Sequence, residues 1–143
     1  MTDDDDDELD LFVEAQDTVW NDVLAELRAG KKRTHWMWFV FPQLASLGQS
    51  DMAKLYGLND LAEATEFYHH PVLGPRLDTV VGLLLQGSES SAKQIFGSTD
   101  AKKLKSCATL FAAVPGAPPA FEQILSRFFD GRQCSDTVDE ISD

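Results

Sequence analysis

Apolar residues recur at the spacing of an α-helix along most of this chain. In the first such stretch, residues 11–29, they line one face, and Gly30 follows as a residue suited to ending a helix. That face consists of Phe12, Val19, Val23 and Leu27, with Val13, Trp20 and Leu24 beside it. The same spacing predicts further helices at residues 51–56, 60–69, 76–86, 92–96, 100–114 and 119–130.

Polar residues, glycines and prolines mark the ends of these helices. Ser50 and Asn59 are predicted to cap the helices that follow them, because their side-chain oxygens can accept hydrogen bonds from free backbone N–H groups. Gly97 and Gly131 are predicted helix ends, and Pro119 suits a first helical turn.

The apolar run at residues 36–41 is ambiguous, since a short buried helix and a short buried strand share this pattern. Thr34 can cap a helix there and Pro42 would end it. We favour the helix, because no other stretch supplies a partner strand. The chain is therefore predicted to be a single compact all-α domain of about seven helices.

Charge divides the chain into a body and two ends. The 143 residues include 24 Asp and Glu against 12 Lys and Arg, a net charge of −12. Ten of those acids lie at residues 3–8 and 136–143. The body, taken as residues 9–131, has the other 14 acidic residues and 11 basic ones, a net charge of −3, because the twelfth basic residue is Arg132. We expect a disordered acidic leader at residues 1–9, a helical domain at 10–132 and a disordered acidic tail at 133–143. The near-neutral body argues against a halophilic surface and against a generally basic nucleic-acid binder.

Targeting signals and common catalytic motifs are not found in the sequence. The aspartate-rich start lacks the cationic and apolar regions of a secretory signal, and no apolar run reaches the length of a membrane span. Cys107 and Cys134 form neither a CxxC pair nor a disulfide framework, so a cytoplasmic location is expected. Phosphate-loop, dinucleotide-binding, nucleophile-elbow and H-E-x-x-H motifs are lacking as well.

The most unusual segment is residues 30–43, where three consecutive cations precede a run of aromatic residues. Its candidate ligand-binding residues are Lys31, Lys32, Trp36, Trp38 and Gln43. Aromatic rings beside cations can stack a planar group and hold an anion, as nucleotide sites do. The structural alternative is that the cations complement the preceding helix dipole and the aromatic residues are core.

A second cationic group follows at Lys102, Lys103 and Lys105, with Ser106 and Thr109 close by on the same helix. This group is either a further part of an anion site or an ordinary solvated lysine face. Residues 98–100 are predicted to open this helix, and backbone N–H groups there can bind phosphate.

The histidines do not suggest a metal site. His69 and His70 are adjacent, and neighbouring helical residues point about 100° apart, so both cannot reach one metal from the same face. A helix-capping or packing role is favoured for the pair, and no metal is expected.

Several phrases of the chain resemble the bacterial family called domain of unknown function 1810. They lie at residues 12–17, 35–43, 47–50, 70–77, 104–106 and 109–111, and the Trp-x-Trp-Phe-Val-Phe-Pro-Gln phrase at 36–43 is the most specific. The resemblance covers residues 10–132 and implies a small, mainly helical, cytosolic domain with no established activity. Members sometimes carry the label calpastatin, which we set aside because that inhibitor is a disordered repeat protein.

The family phrases coincide with both cationic groups and with Arg76, which suggests one shared site. The leading hypothesis is a pocket that binds or processes a phosphorylated or nucleotide-like small molecule. In this hypothesis Trp36 or Trp38 stacks on the ligand, Gln43 and Ser106 orient it, and Thr109 is a further ligand-binding residue. The anion is held by Lys31, Lys32, Arg76 and Lys105. If the domain is an enzyme, His35 and His70 are candidate acid or base groups and Ser106 a candidate nucleophile, whereas Cys107 falls on an apolar face.

Two other functions remain open. The chain can be a non-catalytic protein-interaction module, whose aromatic residues or charged ends contact a partner. Nucleic-acid binding through residues 31–33 is the weakest hypothesis, because the rest of the chain is negatively charged.

Overall fold

The computed structural model describes residues 4–87 and 91–142, with side chains from Leu9 onward. These residues form eight α-helices and one 3-10 turn at Ala45–Leu47, which confirms the all-α prediction. The helices are α1 Asp4–Ala29, α2 Met37–Val40, α3 Asp51–Tyr56, α4 Leu61–His69, α5 Leu73–Gln86, α6 Ala92–Ala112, α7 Ala120–Phe129 and α8 Ser135–Ile141.

Aromatic side chains form the centre of the core. Phe67 on α4 lies at 5.1 Å from Phe12 of α1 and at 5.6 Å from Phe111 of α6, measured between ring centroids. Phe111 in turn stacks on Phe121 of α7 at 5.6 Å. Edge and offset contacts between aromatic rings add to the stabilisation that burial provides. These rings therefore connect α1, α4, α6 and α7.

The helix starts follow local capping chemistry. The Ser50 hydroxyl accepts a hydrogen bond from Ala53 N, as predicted, but α4 is capped by Asp60 and not by Asn59. Asp60 accepts from Glu63 N, whereas the Glu63 carboxylate reaches back to Asn59. Helix α5 begins at Leu73, earlier than predicted, because Pro75 falls within its first turn, where a missing N–H is tolerated.

Residues 36–41 adopt the helical alternative, as the short helix α2. Residues 43–45 then pair with Leu58, just after the end of α3: Ala45 N donates to Leu58 O at 2.8 Å and Leu58 N donates to Gln43 O at 3.0 Å. Gly48 lets the chain approach α3 closely, since a Cβ atom at residue 48 would lie 2.2 Å from the Cβ of Ala53. These contacts hold the 43–50 loop, hereafter the glutamine loop, against α3.

Helix α6 is kinked at Gly97, which has a φ of 83°. The sequence predicts two helices at this place, separated at the same glycine, and a positive φ is favourable for glycine. The first part carries Phe96 into a ring cluster with Trp36 and Phe41, and the second part carries the lysines at 102, 103 and 105.

Both ends for which disorder is predicted include helical residues. Residues 1–3 lie outside the described residues, but α1 begins at Asp4. In the predicted tail, Ser135–Ile141 form α8, which packs on α6 and fully buries Thr137. Val138 and Ile141 are partly buried beside it, so the tail has an apolar face despite its acids. Asp143 lies outside the described residues.

Candidate functional site

A buried carboxylate on α1 holds the segment that leads into α2. Glu26 is 8% exposed and accepts hydrogen bonds from the backbone N of Arg33 at 2.7 Å and of Thr34 at 3.0 Å. The Thr34 hydroxyl and the Trp36 indole nitrogen also donate to it, at 2.7 and 3.0 Å. Burial alone would raise the pKa of this carboxyl, but the four hydrogen bonds outweigh it and lower the pKa from 4.5 to about 2. Glu26 is therefore ionised in the folded protein, and its carboxylate fixes the position of residues 33–36.

Trp36 cannot stack on a ligand, which corrects the hypothesis for this residue. Its side chain is fully buried, packed against Phe41 and Phe96, and its indole nitrogen is bound by Glu26. Lys32 already has partners within the protein and is not available to a ligand. Its ammonium lies 5.2 Å from the centroid of the Trp36 ring and 2.9 Å from the Asp100 carboxylate.

A cleft of about 680 Å³ lies between the glutamine loop, the second part of α6 and residues 133–136. We call it the lysine cleft. Among the residues that line it are Trp38, Gln43, Lys102, Lys105, Ser106 and Cys134. Its volume falls within the range of small-molecule sites in proteins. Four residues that the sequence singled out, Trp38, Gln43, Lys105 and Ser106, are thus brought together.

Trp38 is partly exposed in the lysine cleft and one of its faces is already covered. The Lys103 ammonium lies 4.3 Å from the centroid of the ring, a cation–π contact. The same ammonium lies 3.2 Å from the Asp100 carboxylate, which also binds Lys32. Asp100 therefore connects the two cationic groups of the sequence and neutralises part of each.

The lysine cleft is cationic although the protein is acidic. Lys102, Lys103 and Lys105 line it against one acid, Asp136, a formal charge of +2, whereas the whole chain carries −12. Within the described part of the chain, Lys102 and Lys105 form no ion pair. Neither ammonium group has a carboxylate partner there, although that of Lys105 lies 6.0 Å from the centroid of the Phe129 ring.

Hydroxyl groups on α6 join the cleft to the C-terminal segment. The Thr109 hydroxyl donates to Lys105 O at 2.8 Å and accepts from Cys134 N at 2.9 Å. Thr109 is 1% exposed and its hydroxyl is already paired, so its side chain supports residue 134 and does not line the cleft, contrary to the ligand-binding hypothesis for this residue. Ser106 does line the cleft, with its oxygen 3.4 Å from the Cys134 sulfur.

Arg76 and Lys31 lie outside the lysine cleft. The Arg76 guanidinium bridges to α1, where it donates to the Asp17 carboxylate at 2.7 Å and to the side-chain oxygen of Gln16 at 3.3 Å. It also covers the ring of Trp20, 5.1 Å from its centroid. The expected shared anion site therefore includes neither cation, because Arg76 links α5 to α1 and Lys31 is exposed away from the cleft.

The candidate acid or base histidines are also outside this cleft. His70 Nδ1 accepts from the backbone N of Val72 at 3.1 Å and of Leu73 at 3.3 Å, which places the ring at the start of α5. His35 is exposed in the turn before α2. Among the described residues, no group of three or more His, Cys, Asp or Glu is arranged to hold a metal ion.

None of the helices in the described part of the chain combines the length and the apolar character needed to cross a membrane.

The residues that line the cleft lie within the stretch that matches a known protein family. A family described as "protein of unknown function (DUF1810)" matches residues 6–141. The chain belongs to this family. The match reaches beyond the resemblance seen in the sequence and includes α8, in agreement with the packing of that helix on α6.

A solved structure supports the fold of this DUF1810 protein. The crystal structure of the conserved hypothetical protein Rv1873 from Mycobacterium tuberculosis is 44% identical, with a TM-score of 0.93 over 95% of this chain and 97% of that chain. No curated protein sequence matches the chain.

Sequence reasoning missed two residues that shape the site. Glu26 carried a signal, because it interrupts the apolar face of α1 between Val23 and Leu27, and a carboxylate at such a position needs buried donors. Cys134 carried none, since its place beside Ser106 depends on how the tail returns to α6.

Proposed function

We propose that the lysine cleft binds a phosphorylated or nucleotide-like small molecule. One observation carries this proposal: two unpaired ammonium groups, a partly exposed indole and a side-chain amide line one cleft of about 680 Å³. Each of these groups has a counterpart in a nucleotide, which combines phosphate charge, a planar ring and hydrogen-bonding edges.

The phosphate part of the ligand is assigned to Lys102 and Lys105. Both lie on the second part of α6, and neither is paired with a carboxylate of the described residues. In a cleft whose walls exclude part of the solvent, such charges are screened less than on an open surface. Ser106, one turn after Lys102 on the same helix, lines the cleft beside them and offers a hydroxyl oxygen to the ligand.

The planar part of the ligand is assigned to the face of Trp38 that Lys103 leaves open. Lys103 on the opposite face holds the indole in place and adds positive charge nearby. The backbone carbonyl of Gln43 accepts a hydrogen bond from Leu58 N, which fixes the position of this residue. Its side-chain amide is suited to hydrogen-bond the edge of a planar ring.

The test is a thermal-shift screen of the full chain against nucleotides, ADP-ribose and sugar phosphates. At a ligand concentration of about 100 times Kd, binding adds roughly 2.7 kcal/mol to the free energy of unfolding and raises Tm. The double substitution Lys102→Ala and Lys105→Ala should abolish the shift, whereas Lys93→Ala, which changes an exposed lysine on the first part of α6, should retain it. A screen with no stabilising compound, or a double variant with an unchanged shift, counts against the proposal.

The alternative of a non-catalytic protein-interaction module has less support. The large exposed apolar side chains of the described residues are Leu11, Met52 and Leu55 rather than the aromatic residues expected for it. Leu11 and Leu55 line one small pocket of about 260 Å³, which is less than half the volume of the lysine cleft. We therefore place ligand binding first.

A further inference from the structure

The two cysteines of this chain differ in access. Cys107 is 1% exposed in the core, where burial raises the pKa of its thiol. Cys134 is partly exposed in the wall of the lysine cleft, immediately before α8. A reagent that enters the cleft can therefore reach only the second thiol.

Two hydroxyl groups converge on the Cys134 sulfur. The Ser106 hydroxyl has one proton, which it can donate either to Lys102 O at 3.1 Å or to the sulfur at 3.4 Å. Thr137 is fully buried, lies beside the same sulfur, and makes no well-aligned hydrogen bond with the described residues. Buried hydroxyls normally have partners, and a thiolate at residue 134 would accept from both.

The surroundings favour the ionised thiol. Partial burial by itself raises the pKa of Cys134. The donors grouped around the sulfur, which are the Ser106 and Thr137 hydroxyls and the backbone N–H groups of Asp136 and Thr137, favour the charged form and outweigh burial, so the pKa lies below the usual value of 9.0. The ionisable side chains that line the cleft are Lys102, Lys103, Lys105 and Asp136. Their positive excess favours anions near the thiolate.

We propose that Cys134 is a covalent modification site that takes anionic low-molecular-weight disulfides by thiol–disulfide exchange. The Cys134 thiol loses its proton to solvent, and its thiolate sulfur attacks one sulfur of the disulfide. A new S–S bond forms to Cys134, the original S–S bond breaks, and the second half leaves as a thiolate. The disulfide is the oxidant, so no other reagent is consumed. The reaction uses the lysine cleft but does not depend on which small molecule the cleft binds.

The test compares two disulfides on the full chain. Dithiobis(nitrobenzoate) carries two carboxylates and dithiodipyridine is neutral at neutral pH; the product that each releases is followed by its absorbance. Each rate is divided by the rate of the same chain unfolded in urea, which removes the intrinsic reactivity of the reagent. We expect a preference of about two- to fivefold for the anionic reagent at low ionic strength, decreasing as salt is added. Mass spectrometry should locate the adduct on Cys134.

Matched variants separate the contributions. The Lys102→Ala and Lys105→Ala double substitution should remove the anion preference, Lys93→Ala should keep it, and Cys134→Ser should abolish fast labelling. Ser106→Ala should slow both reagents and move the midpoint of the pH–rate profile upward, which a purely steric role would not do.

Faster labelling of Cys107, no anion preference, or a preference that survives the double substitution would overturn the proposal. Its failure is distinguishable from failure of the proposed function, because Cys134→Ser can still be tested for nucleotide-induced stabilisation.

Discussion

The indole nitrogen of Trp36 donates a hydrogen bond to the Glu26 carboxylate at 3.0 Å, and both side chains are buried. This pair joins the end of α1 to the start of α2, so the buried ring and the carboxylate keep Trp38 directed toward the lysine cleft. The cluster of aromatic residues in the sequence is therefore divided between core and cleft.

Replacing Glu26 with Gln should destabilise the fold. The amide keeps one acceptor oxygen but loses the charge and places N–H groups among the existing donors, at a cost of about 1–3 kcal/mol. Urea unfolding measures this difference. The matched control is Glu14→Gln, an exposed carboxylate on the same helix, which should change the free energy of unfolding by less than about 0.5 kcal/mol. Equal effects of the two substitutions would contradict the assigned role of Glu26.

The stabilisation from Glu26 should depend on pH. Its pKa is about 2 in the folded protein against 4.5 as the ordinary value. The contribution is complete above pH 4.5 and disappears as the pH falls toward 2, since the folded carboxylate resists the proton that the unfolded chain accepts. Between those limits the wild type should lose roughly 3 kcal/mol more than Glu26→Gln. Urea unfolding at a series of pH values gives both curves, and parallel curves would show that the pKa of Glu26 is not depressed.

Ligand binding should quench the fluorescence of Trp38. Of the three tryptophans, Trp36 is fully buried and Trp20 lies under Arg76, away from the cleft. Addition of ADP-ribose to the wild type should therefore reduce the emission, and Trp38→Phe should remove most of that reduction. Trp20→Phe is the control and should retain it. Quenching that persists without Trp38 would place the planar group elsewhere.

Replacing Thr109 with Val should loosen the C-terminal helix. The change keeps the shape of the side chain but leaves Cys134 N without its acceptor, at a cost of about 1–2 kcal/mol. Amide hydrogen exchange in α8 should accelerate. Thr79→Val is the matched control, because the Thr79 hydroxyl is exposed and donates only to Pro75 O within its own helix. Unchanged exchange in Thr109→Val would show that α8 is held by other contacts.

Local patterns predicted most of the helices because their causes are local. Ser50 caps α3 as expected, and Gly97 interrupts α6 where the sequence placed a boundary between two helices. Two helix starts differ from the prediction for local reasons. Asp60, and not its neighbour Asn59, caps α4, and α5 begins before Pro75 because a proline is tolerated in the first turn of a helix. The pattern of the tail did not predict α8, because its many acids outnumber the few residues of the buried face around Thr137.

The sequence by itself determined the all-α class, the family and the two cationic groups, because periodicity, capping and distinctive phrases are properties of neighbouring residues. Tertiary structure alone decided which cations remain free. The Asp100 carboxylate forms an ion pair with Lys32, which is far away in the sequence, and the Asp17 carboxylate forms one with Arg76. Lys102 and Lys105 have no such partner among the described residues, and both line the cleft. Tertiary structure also brought Cys134 to Ser106. Such pairings follow from how the helices pack, and no local pattern of residues encodes them.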